Sequence, residues 1–154
     1  MMKILNHLKE EWVIPELEGA DKRSILRELS EMLVKPCQVA SVEELLQVFL
    51  DREKLGSTGI GEGIAIPHGR LKKLKSFFIS FGRSKKGVDF DSIDRKPCQL
   101  FFLVMAPENS AVDNLNLLGR IAKLLKDASF RKQLLEAHSQ KELFQIISEE
   151  DERY

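Results

Sequence analysis

Residues 51–70 read DREKLGSTGIGEGIAIPHGR, and this stretch decides where the chain changes from helix to strand. Four glycines interrupt the helical periodicity that comes before them. The apolar step Ile64-Ala65-Ile66 then predicts a strand, and Pro67 fixes the backbone just before His68. We therefore expect a helix, a glycine-rich loop and a strand in that order.

The loop in this stretch combines small residues with hydrogen-bond donors. It contains four glycines and two hydroxyl residues: Gly56, Ser57, Thr58, Gly59, Gly61 and Gly63. Glycines let the backbone approach a ligand closely, and successive amides can form an anion-binding concavity. We therefore expect exposed amide and hydroxyl donors that can hold the oxygens of a phosphoryl group.

Arginines and an imidazole flank the loop. Arg52 lies at the end of the preceding helix, and Arg70 follows His68 by two residues. Gly69 permits close approach beside the imidazole. Guanidinium groups bind phosphoryl oxygens, and a histidine nitrogen can itself accept a phosphoryl group. The pattern is typical of a site that handles a phosphate.

Two nucleotide-binding motifs are similar to parts of the loop, and neither fits. Residues 56–61, GSTGIG, lack the Lys-Ser/Thr pair that must follow in a P-loop. Residues 59–63, GIGEG, match part of the dinucleotide fingerprint, which needs a strand before it and a helix after it. Here the predicted order is the reverse.

The same residues also have ordinary structural interpretations. A single histidine is usually a satisfied surface or core residue, and the glycines are compatible with a tight turn alone. Arg52 can pair with Asp51 or Glu53 as surface charge, which stabilises little. Cys98 heads an apolar strand and is expected to be a small core residue. The residues by themselves leave these alternatives open.

Before this stretch, the sequence predicts one short strand and two helices. Trp12-Val13-Ile14, ended by Pro15, is expected to form the strand. Asp21 can cap a first helix that Pro36 is expected to stop, and Ser41 with Glu44 forms a capping box for the second. The residues expected to face inward are Ile25, Leu26, Leu29, Met32, Leu33, Val42, Leu45, Leu46 and Phe49.

After it, two strands and three helices are predicted. The strands are residues 77–83 and 99–106, and the second lacks alternation, which indicates a strand covered on both faces. Residues 85–97 between them are polar and rich in turn formers. Ser139 with Glu142 forms a capping box for the last helix, and residues 149–154 are expected to fray. The residues expected to face inward are Leu115, Leu118, Ile121, Ala122, Leu125, Phe130, Leu134, Leu135, Leu143, Phe144, Ile146 and Ile147.

This order of elements predicts an α/β (α+β) fold, a three-layer sandwich in which a mixed β-sheet is flanked by helices on both faces. The 154 residues are expected to form a single domain over 1–154. Hydrophobic residues make up 43% and charged residues 31%, as in a globular protein rather than a disordered one.

Composition also excludes several classes of protein. Lys plus Arg and Asp plus Glu are both 24, and this zero net charge argues against a nucleic-acid binder. The longest apolar run, Leu100 to Ala106, is too short to cross a bilayer. Cys37 and Cys98 are far apart and form no metal-binding or disulfide pattern. Since the N-terminus has no signal-peptide features, we expect a reduced cytoplasmic protein.

Residues 52–70 closely resemble the phosphorylation-site signature of the phosphotransferase-system EIIA domains of the fructose/mannitol type (type 2), which include the stand-alone nitrogen-regulatory EIIA proteins. The resemblance extends to Ala106-Pro107-Glu108, to the helix around 115–125, to residues 127–130 and to the closing helix with Phe144-Gln-Ile-Ile147. It therefore covers nearly the whole chain and implies the fold of mannitol EIIA.

The resemblance also implies roles for single residues. His68 matches the histidine that receives the phosphoryl group from the phosphocarrier protein HPr or its nitrogen-branch counterpart, and Arg52 matches the arginine that steadies the group. Members of the family commonly carry a second histidine at the position that aligns with Asn114. An asparagine amide can donate a hydrogen bond but cannot carry a proton or positive charge. The resemblance therefore puts fast onward transfer to an EIIB cysteine in doubt.

The function implied is that of a phosphohistidine relay or regulatory protein rather than an enzyme acting on a small molecule. No nucleotide, metal or other cofactor is expected, because the phosphoryl group arrives on a protein and is carried by His68. The single-domain length and the LGSTGIG form favour the nitrogen-regulatory branch, with HPr, an EIIB domain or regulatory targets as partners and without nucleic acid or membrane insertion. Alternatives are a sugar-specific EIIA that passes phosphate to EIIB, and a binding module that is not phosphorylated.

Overall fold

A computed structural model describes residues 2–154 and contains a six-stranded mixed sheet with five α-helices. The strands are β1 (Val13–Ile14), β2 (Gly59–Gly61), β3 (Ile64–Ala65), β4 (His68–Leu71), β5 (Phe78–Val88) and β6 (Cys98–Pro107). The helices are α1 (Lys22–Cys37), α2 (Val42–Lys54), α3 (Ala111–Leu125), α4 (Ala128–Glu136) and α5 (Gln140–Arg153). Two 3-10 turns, Ile4–Asn6 and Glu10–Trp12, precede β1, so Trp12, which was predicted to be part of the strand, lies just before it.

Strand β6 is the centre of the sheet, whose order is β1-β5-β6-β3-β2. It runs antiparallel to β5, while β3 and then β4 pair with it in parallel along its other side. Pro67 lies at the break between β3 and β4, and its carbonyl accepts a hydrogen bond from the Val104 amide at 2.8 Å. This break places His68 opposite Val104, at the first position of β4.

The sheet is covered on both faces, as predicted. Ser80 and Arg83 of β5 are three residues apart, and side chains an odd number of residues apart point to opposite faces of a strand. Ser80 donates a hydrogen bond to the Leu29 carbonyl of α1, whereas Arg83 donates to the Leu134 carbonyl of α4. Helices α1 and α2 therefore form one outer layer, and α4 lies in the other with its neighbours α3 and α5.

The core is centred on β6, where every residue from Leu100 to Ala106 is buried. This confirms the strand that was predicted to be covered on both faces, because a strand between two helical layers has no solvent-facing side. Cys98 at its head is buried as well, and Cys37 and Cys98 are both free thiols.

The predicted starts of α1 and α2 are confirmed. Asp21 and Ser41 each accept a hydrogen bond from the amide three residues later, and both caps are reciprocal boxes. The prediction that Pro36 stops α1 is wrong by one residue, because the helix includes Pro36 and ends at Cys37. Gln38 then takes the left-handed conformation with φ 58° and ends the helix.

The strand predictions were incomplete. Strand β5 continues to Val88, past the predicted end at residue 83, although residues 85–88 read as turn formers. Strands β2 and β4 were not predicted, because each has four residues or fewer and contains glycine. Pairing with β3 and with β6, rather than local propensity, holds these segments extended.

The predicted inward face of helix α3 is confirmed in part: Ile121 and Leu125 are buried as expected, whereas Leu115 is not. The buried side chains are Asn114, Leu117, Ile121, Leu124 and Leu125, whereas Leu115 is 71% exposed and Leu118 is only partly buried. The apolar residues on α3 extend around more of the helix than one stripe, so periodicity alone could not fix its rotation. The apolar residues of α3 that do not face the core lie on the surface of the protein.

The C-terminal residues do not form the frayed tail that was predicted. Helix α5 continues to Arg153, and Glu150 and Asp151 are buried. Asp151 accepts a hydrogen bond from the Leu5 amide at 3.0 Å and pairs with Arg120 of α3 at 2.8 Å. These long-range contacts hold the charged end of the chain in place.

Ser139 caps α5 by accepting a hydrogen bond from the Glu142 amide at 3.1 Å. The Glu142 carboxylate, however, accepts from the amide of His138 at 2.9 Å and not from that of Ser139. The Ser139 cap is therefore confirmed, and the reciprocal half of the box is replaced by a bond one residue upstream.

Candidate functional site

His68 begins β4, directly after Pro67, and its ring is held from both sides. Its Nδ1 lies 2.9 Å from the Ile66 carbonyl, and its Nε2 lies 3.2 Å from Nε of Arg52. A guanidinium group can only donate and a carbonyl can only accept. The neutral ring therefore carries its hydrogen on Nδ1, and the lone pair is on Nε2. This tautomer leaves Nε2 as the nucleophilic atom.

The surroundings of His68 favour the neutral ring. Burial lowers the pKa of His68 below its ordinary value of 6.5, and the nearby positive charges of Arg52 and Arg70 lower the pKa further. The hydrogen bond to Ile66 and the charge of Glu53 act in the opposite direction without reversing the shift. At neutral pH the imidazole is therefore uncharged and able to attack an electrophile.

Arg52 extends from the last turn of α2 between His68 and the glycine loop. Besides the contact with His68, it donates a hydrogen bond from one Nη to the Gly56 carbonyl at 2.9 Å. The alternative that Arg52 forms a surface ion pair with a neighbour is not what the structure shows. Asp51 pairs with Lys54, and Glu53 pairs with Lys22.

The glycine loop is not the open array of donors that the sequence suggested. The Ser57 hydroxyl donates to the Phe90 carbonyl at 2.6 Å, and the hydroxyl of Thr58 donates to the buried Glu53 carboxylate. The amides of Thr58, Gly59 and Gly61 bond to side chains within the protein. The prediction of exposed donors is therefore wrong for these groups, which hold the loop in its own conformation.

Glu53 is the residue of this region that the sequence analysis did not identify as part of the site. It is 9% exposed and accepts hydrogen bonds from both the amide and the hydroxyl of Thr58. Its second partner is Lys22 of α1 at 3.0 Å, and the same ammonium lies 3.1 Å from Asp91. This role was not predictable from the sequence, because Lys22 and Asp91 are remote from Glu53 along the chain.

The glycines play different parts. A side chain at Gly69 would place its Cβ 2.6 Å from Val48 of α2, so Gly69 permits β4 to pack against α2 rather than to approach a ligand. Gly61 has φ +97° and Gly56 has φ +144°, conformations that residues with a side chain rarely adopt. These three glycines are thus required by the backbone conformation of the loop and by the packing of β4 against α2.

Two cavities lie beside His68 and Arg52, and both residues line each of them. The larger, of about 720 Å³, is also lined by Leu55, Arg70 and Asn114. The smaller, of about 280 Å³, is lined by Ser57 and Thr58, and by residues of α3. Gly59 and Gly61 line neither cavity. The structure thus brings together seven predicted site residues: Arg52, Ser57, Thr58, His68, Gly69, Arg70 and Asn114.

The two walls of these cavities come from separate parts of the chain. One wall, here called the arginine wall, consists of Arg52, residues 56–58 and residues 68–70. The opposite wall, here called the α3 rim, is apolar and consists of Leu115, Leu118, Gly119 and Ala122. The side chains at the mouth of the larger cavity, Leu55 and Leu115, are 84% and 71% exposed.

Asn114 lies on the first turns of α3 and lines the larger cavity with His68. It is 6% exposed, and its Oδ1 is buried without a hydrogen-bond partner among the described residues. A buried carbonyl oxygen left without a partner is unfavourable, and such groups often mark functional positions. The structure therefore places Asn114 at the cavity, as the alignment with a second active-site residue implied.

Residues 2–154 contain no group of three or more His, Cys, Asp or Glu side chains arranged to hold a metal ion. Within the same range, no helix is both long enough and apolar enough to cross a bilayer.

The fold and the cleft define a class of small α/β proteins with a partly buried imidazole beside a guanidinium group, and sequence comparison gives the family. The family model for "Phosphoenolpyruvate-dependent sugar phosphotransferase system, EIIA 2" matches residues 6–150. Because this match covers most of the chain, the protein belongs to the phosphotransferase-system EIIA type-2 family. The resemblance stated from the sequence is thereby confirmed.

Relatives from both branches of the family are similar to the chain. The nitrogen regulatory protein of Bradyrhizobium diazoefficiens is 36% identical over 149 residues, which cover 96% of this chain and 95% of the relative. The fructose-specific EIIABC component of Bacillus subtilis is 37% identical over 150 residues, 97% of this chain but 24% of that longer protein. Sequence identity therefore does not separate the two branches.

Solved structures confirm the fold. The nitrogen regulatory protein IIA-Ntr from Neisseria meningitidis superposes with a TM-score of 0.87 at 32% identity, covering 92% of this chain and 97% of that one. Mannitol IIA of Escherichia coli, in its complex with phosphorylated mannitol IIB, superposes with a TM-score of 0.75 at 26% identity, covering 92% and 99%. The predicted three-layer fold of the mannitol EIIA type is thus confirmed.

Proposed function

We propose that the protein receives a phosphoryl group on Nε2 of His68 from an HPr-type phosphocarrier protein and acts as a phosphorylation-dependent regulatory protein. The observation that carries this proposal is the arrangement of the His68 ring. The Ile66 carbonyl fixes the hydrogen on Nδ1, and Arg52 lies against the free lone pair on Nε2. A neutral, oriented imidazole beside a guanidinium group supplies both a nucleophile and a phosphoryl-binding group.

The transfer step follows from this geometry. The Nε2 lone pair forms the new nitrogen–phosphorus bond as the bond from phosphorus to the donor nitrogen breaks, and that electron pair remains on the donor. The hydrogen stays on Nδ1 throughout and remains hydrogen-bonded to the Ile66 carbonyl. Arg52, now 3.2 Å from Nε2, is placed to turn its donors toward the phosphoryl oxygens as charge develops there. No metal ion or nucleotide is needed for this scheme.

Phosphorylation would change the charge of the cleft without requiring a change of fold. A phosphoryl group on a protein side chain adds about −1.5 to −2 charges at neutral pH. The group would lie between Arg52 and Arg70 of the arginine wall and the apolar α3 rim. A surface that is apolar at its edge and changes charge at its centre can admit a target in one state and repel it in the other.

Two observations favour a regulatory role over sugar transport. The TM-score to the Neisseria nitrogen regulatory protein is 0.87, against 0.75 for mannitol IIA. In addition, the second side chain at the cleft is the amide of Asn114, which cannot gain or lose a proton at neutral pH. A phosphohistidine without an acid beside it is suited to a lasting signal more than to rapid onward transfer.

The sugar-specific alternative is a second candidate, because a fructose-specific component is 37% identical and a solved mannitol complex joins EIIA to EIIB. In that role His68 would pass the phosphoryl group to an EIIB domain. The two functions share the first step and differ in the rate of the second.

The proposal is tested by intact-mass measurement after mixing the protein with enzyme I, an HPr-type carrier and phosphoenolpyruvate. We expect one phosphate adduct on wild type and none on His68→Ala, with His138→Ala as the matched control that retains the adduct. An adduct on His68→Ala would show that another residue is the acceptor. No adduct on wild type, with a carrier shown to be phosphorylated, would support the non-phosphorylated binding module instead.

A further inference from the structure

Gly119 lies in the middle of α3, where glycine is unfavourable. Glycine is the poorest helix former apart from proline, because it loses the most backbone freedom on folding. Some benefit elsewhere must offset this cost. In most proteins the benefit is a close contact within the chain or a backbone angle that only glycine adopts readily.

Eight of the nine glycines show such an internal reason. An added Cβ would lie 3.0 Å or less from another atom, or φ is positive, at Gly19, Gly56, Gly59, Gly61, Gly63, Gly69, Gly82 and Gly87. Gly119 differs from all of these. A Cβ built there has no neighbour within 4 Å among the described residues, and its φ lies in the ordinary helical range.

The position of Gly119 indicates an external reason. It is exposed and lines the smaller cavity together with Arg52 and His68. On the same rim Leu115 is 71% exposed and Leu118 is partly buried, so Gly119 is a depression between larger apolar side chains. A missing side chain at this point lets another backbone approach α3 closely, directly beside the reactive imidazole.

We propose that Gly119 is the point at which the phosphoryl-carrying partner protein passes closest to α3, and that the absence of a side chain there determines how tightly that partner binds. The inference rests on the proposed function of His68. In-line transfer requires the donor phosphorus to come within about 3–3.5 Å of Nε2. His68 is partly buried on the arginine wall and lines both cavities together with Leu118 of the α3 rim, so a protein donor that reaches Nε2 lies close to that rim.

Charge and shape together identify this occupant. Arg52 and Arg70 at the larger cavity complement the dianionic phosphoryl group that the partner carries, and Asp51, which also lines this cavity, is paired with Lys54. The α3 rim beside these arginines is apolar. A partner segment that packs against it therefore need not bring charged groups out of water. The partner therefore contributes its phosphoryl group to the arginine wall and an uncharged backbone segment to the depression at Gly119.

The inference is tested with Gly119→Ala and Gly119→Gln, using an HPr-type carrier phosphorylated by enzyme I and phosphoenolpyruvate. The KM for the carrier should rise roughly 5- to 100-fold, with the larger rise for glutamine, because an added side chain overpacks a close contact. The kcat should change by less than about twofold, since the reacting groups are untouched. Gly119→Ala should also raise the Tm by roughly 2–4 °C through better helix propensity.

Two controls separate docking from chemistry and from folding. Phosphoramidate, a small phosphoryl donor with a nitrogen–phosphorus bond, should phosphorylate wild type and both variants at equal rates. Asn116→Ala, at an exposed position of α3 outside both cavities, should raise the Tm without changing the KM. An increase in KM confined to the protein donor would support the role of Gly119.

Other outcomes overturn either this inference or the proposed function, and they can be told apart. If both Gly119 variants accept phosphate from the carrier with the KM of wild type, the inference is wrong and the proposed function stands. If the variants lose reactivity toward phosphoramidate equally, Gly119 acts on His68 itself and not on docking. If wild type accepts phosphate from neither donor, the proposed function fails first.

Discussion

The two walls of the cleft differ in how their groups are satisfied. On the arginine wall, Arg52 is bonded to His68 and Gly56, and the Thr58 hydroxyl is bonded to Glu53. On the α3 side, Leu115 is 71% exposed, and the buried Oδ1 of Asn114 has no partner among the described residues. Arg52, His68 and Thr58 of the arginine wall are thus paired within the protein, whereas the α3 side has an exposed apolar side chain and a buried oxygen without a hydrogen bond.

This difference separates chemistry from recognition. A transition state is stabilised best by groups that are already in position, because they need not reorganise during the reaction. Recognition, in contrast, needs surface that becomes buried only when the partner arrives. We therefore expect substitutions on the arginine wall to affect every donor, and substitutions on the α3 rim to affect protein partners alone.

The largest effect should come from Arg52→Gln. Loss of the guanidinium group removes the donors that stabilise the phosphoryl group, and the rate of phosphorylation should fall by about 100- to 1,000-fold. The fall should be the same with the phosphocarrier protein and with phosphoramidate, measured by intact mass over time. Arg27→Gln, at an exposed position of α1, is the control and should keep the wild-type rate. A slower reaction with the phosphocarrier protein alone would contradict the expectation that substitutions on the arginine wall affect every donor.

Asn114→His should have the next largest effect, and on the second step only. An imidazole at this position can carry a proton beside the phosphoryl group, so the rate of transfer to an EIIB domain should rise by about tenfold or more. Rapid-quench measurement of phosphate loss to EIIB checks this. Asn116→His makes the same change two residues away, outside the cavities, and should leave the rate unaltered. An unchanged rate in Asn114→His would contradict the role assigned to this position.

Glu53→Gln should weaken the arginine wall more modestly. The change removes the charge that Lys22 pairs with and disturbs the bonds to Thr58, so the free energy of unfolding should fall by about 1–3 kcal/mol. Phosphorylation should slow several-fold, because the loop that Arg52 contacts is held less firmly. Chemical denaturation and the mass assay measure the two effects. Glu43→Gln, on the exposed side of α2, should change neither.

The smallest effect concerns pH. Since burial lowers the pKa of His68 below 6.5, the ring stays neutral to lower pH than an ordinary histidine, and its reactivity should be nearly constant at pH values well above 6.5. Reactivity should fall as the pH drops through the lowered pKa. The stability contributed by the neutral ring has the same sign: it is full above 6.5 and is lost as the pH falls, because the unfolded chain binds the proton more readily.

An NMR titration of the His68 ring checks this prediction. The midpoint should lie below 6.5 in wild type and should move upward in Arg52→Gln, because the positive charge of Arg52 contributes to the lowered pKa. A midpoint above 6.5 in wild type would contradict the environment that the structure describes.

Much of the arginine wall was predictable because it is local in sequence. Arg52, His68 and the glycines lie within one stretch of 20 residues, residues 51–70, whose residue types are typical of a phosphate site and whose resemblance to the family implied the individual roles. The direction of the loop donors was not predictable. Ser57 bonds to Phe90 and Gly61 bonds to Ser92, and the sequence does not show which distant segment will meet a loop.

For α3, the sequence predicted the presence of a helix but not which of its faces would be buried. Periodicity correctly indicated a helix, yet the predicted inward residue Leu115 is exposed and the polar Asn114 is buried. Charge misled the prediction in a similar way at the C-terminus. Glu150 and Asp151 read as a solvated tail, but Asp151 is buried because Arg120 and the Leu5 amide meet it.

By itself, the sequence determined the capping residues of α1, α2 and α5, the buried central strand and, through its resemblance to the family, the histidine that we propose is phosphorylated, because each depends on residues within one short stretch of chain. The tertiary structure decided the tautomer of His68, the partners of Glu53 and the exposed face of α3. These depend on contacts between segments far apart in the chain, and a periodic pattern carries no information about which segments will meet. The pairing of β4 with β6 is the physical reason that the two walls face each other.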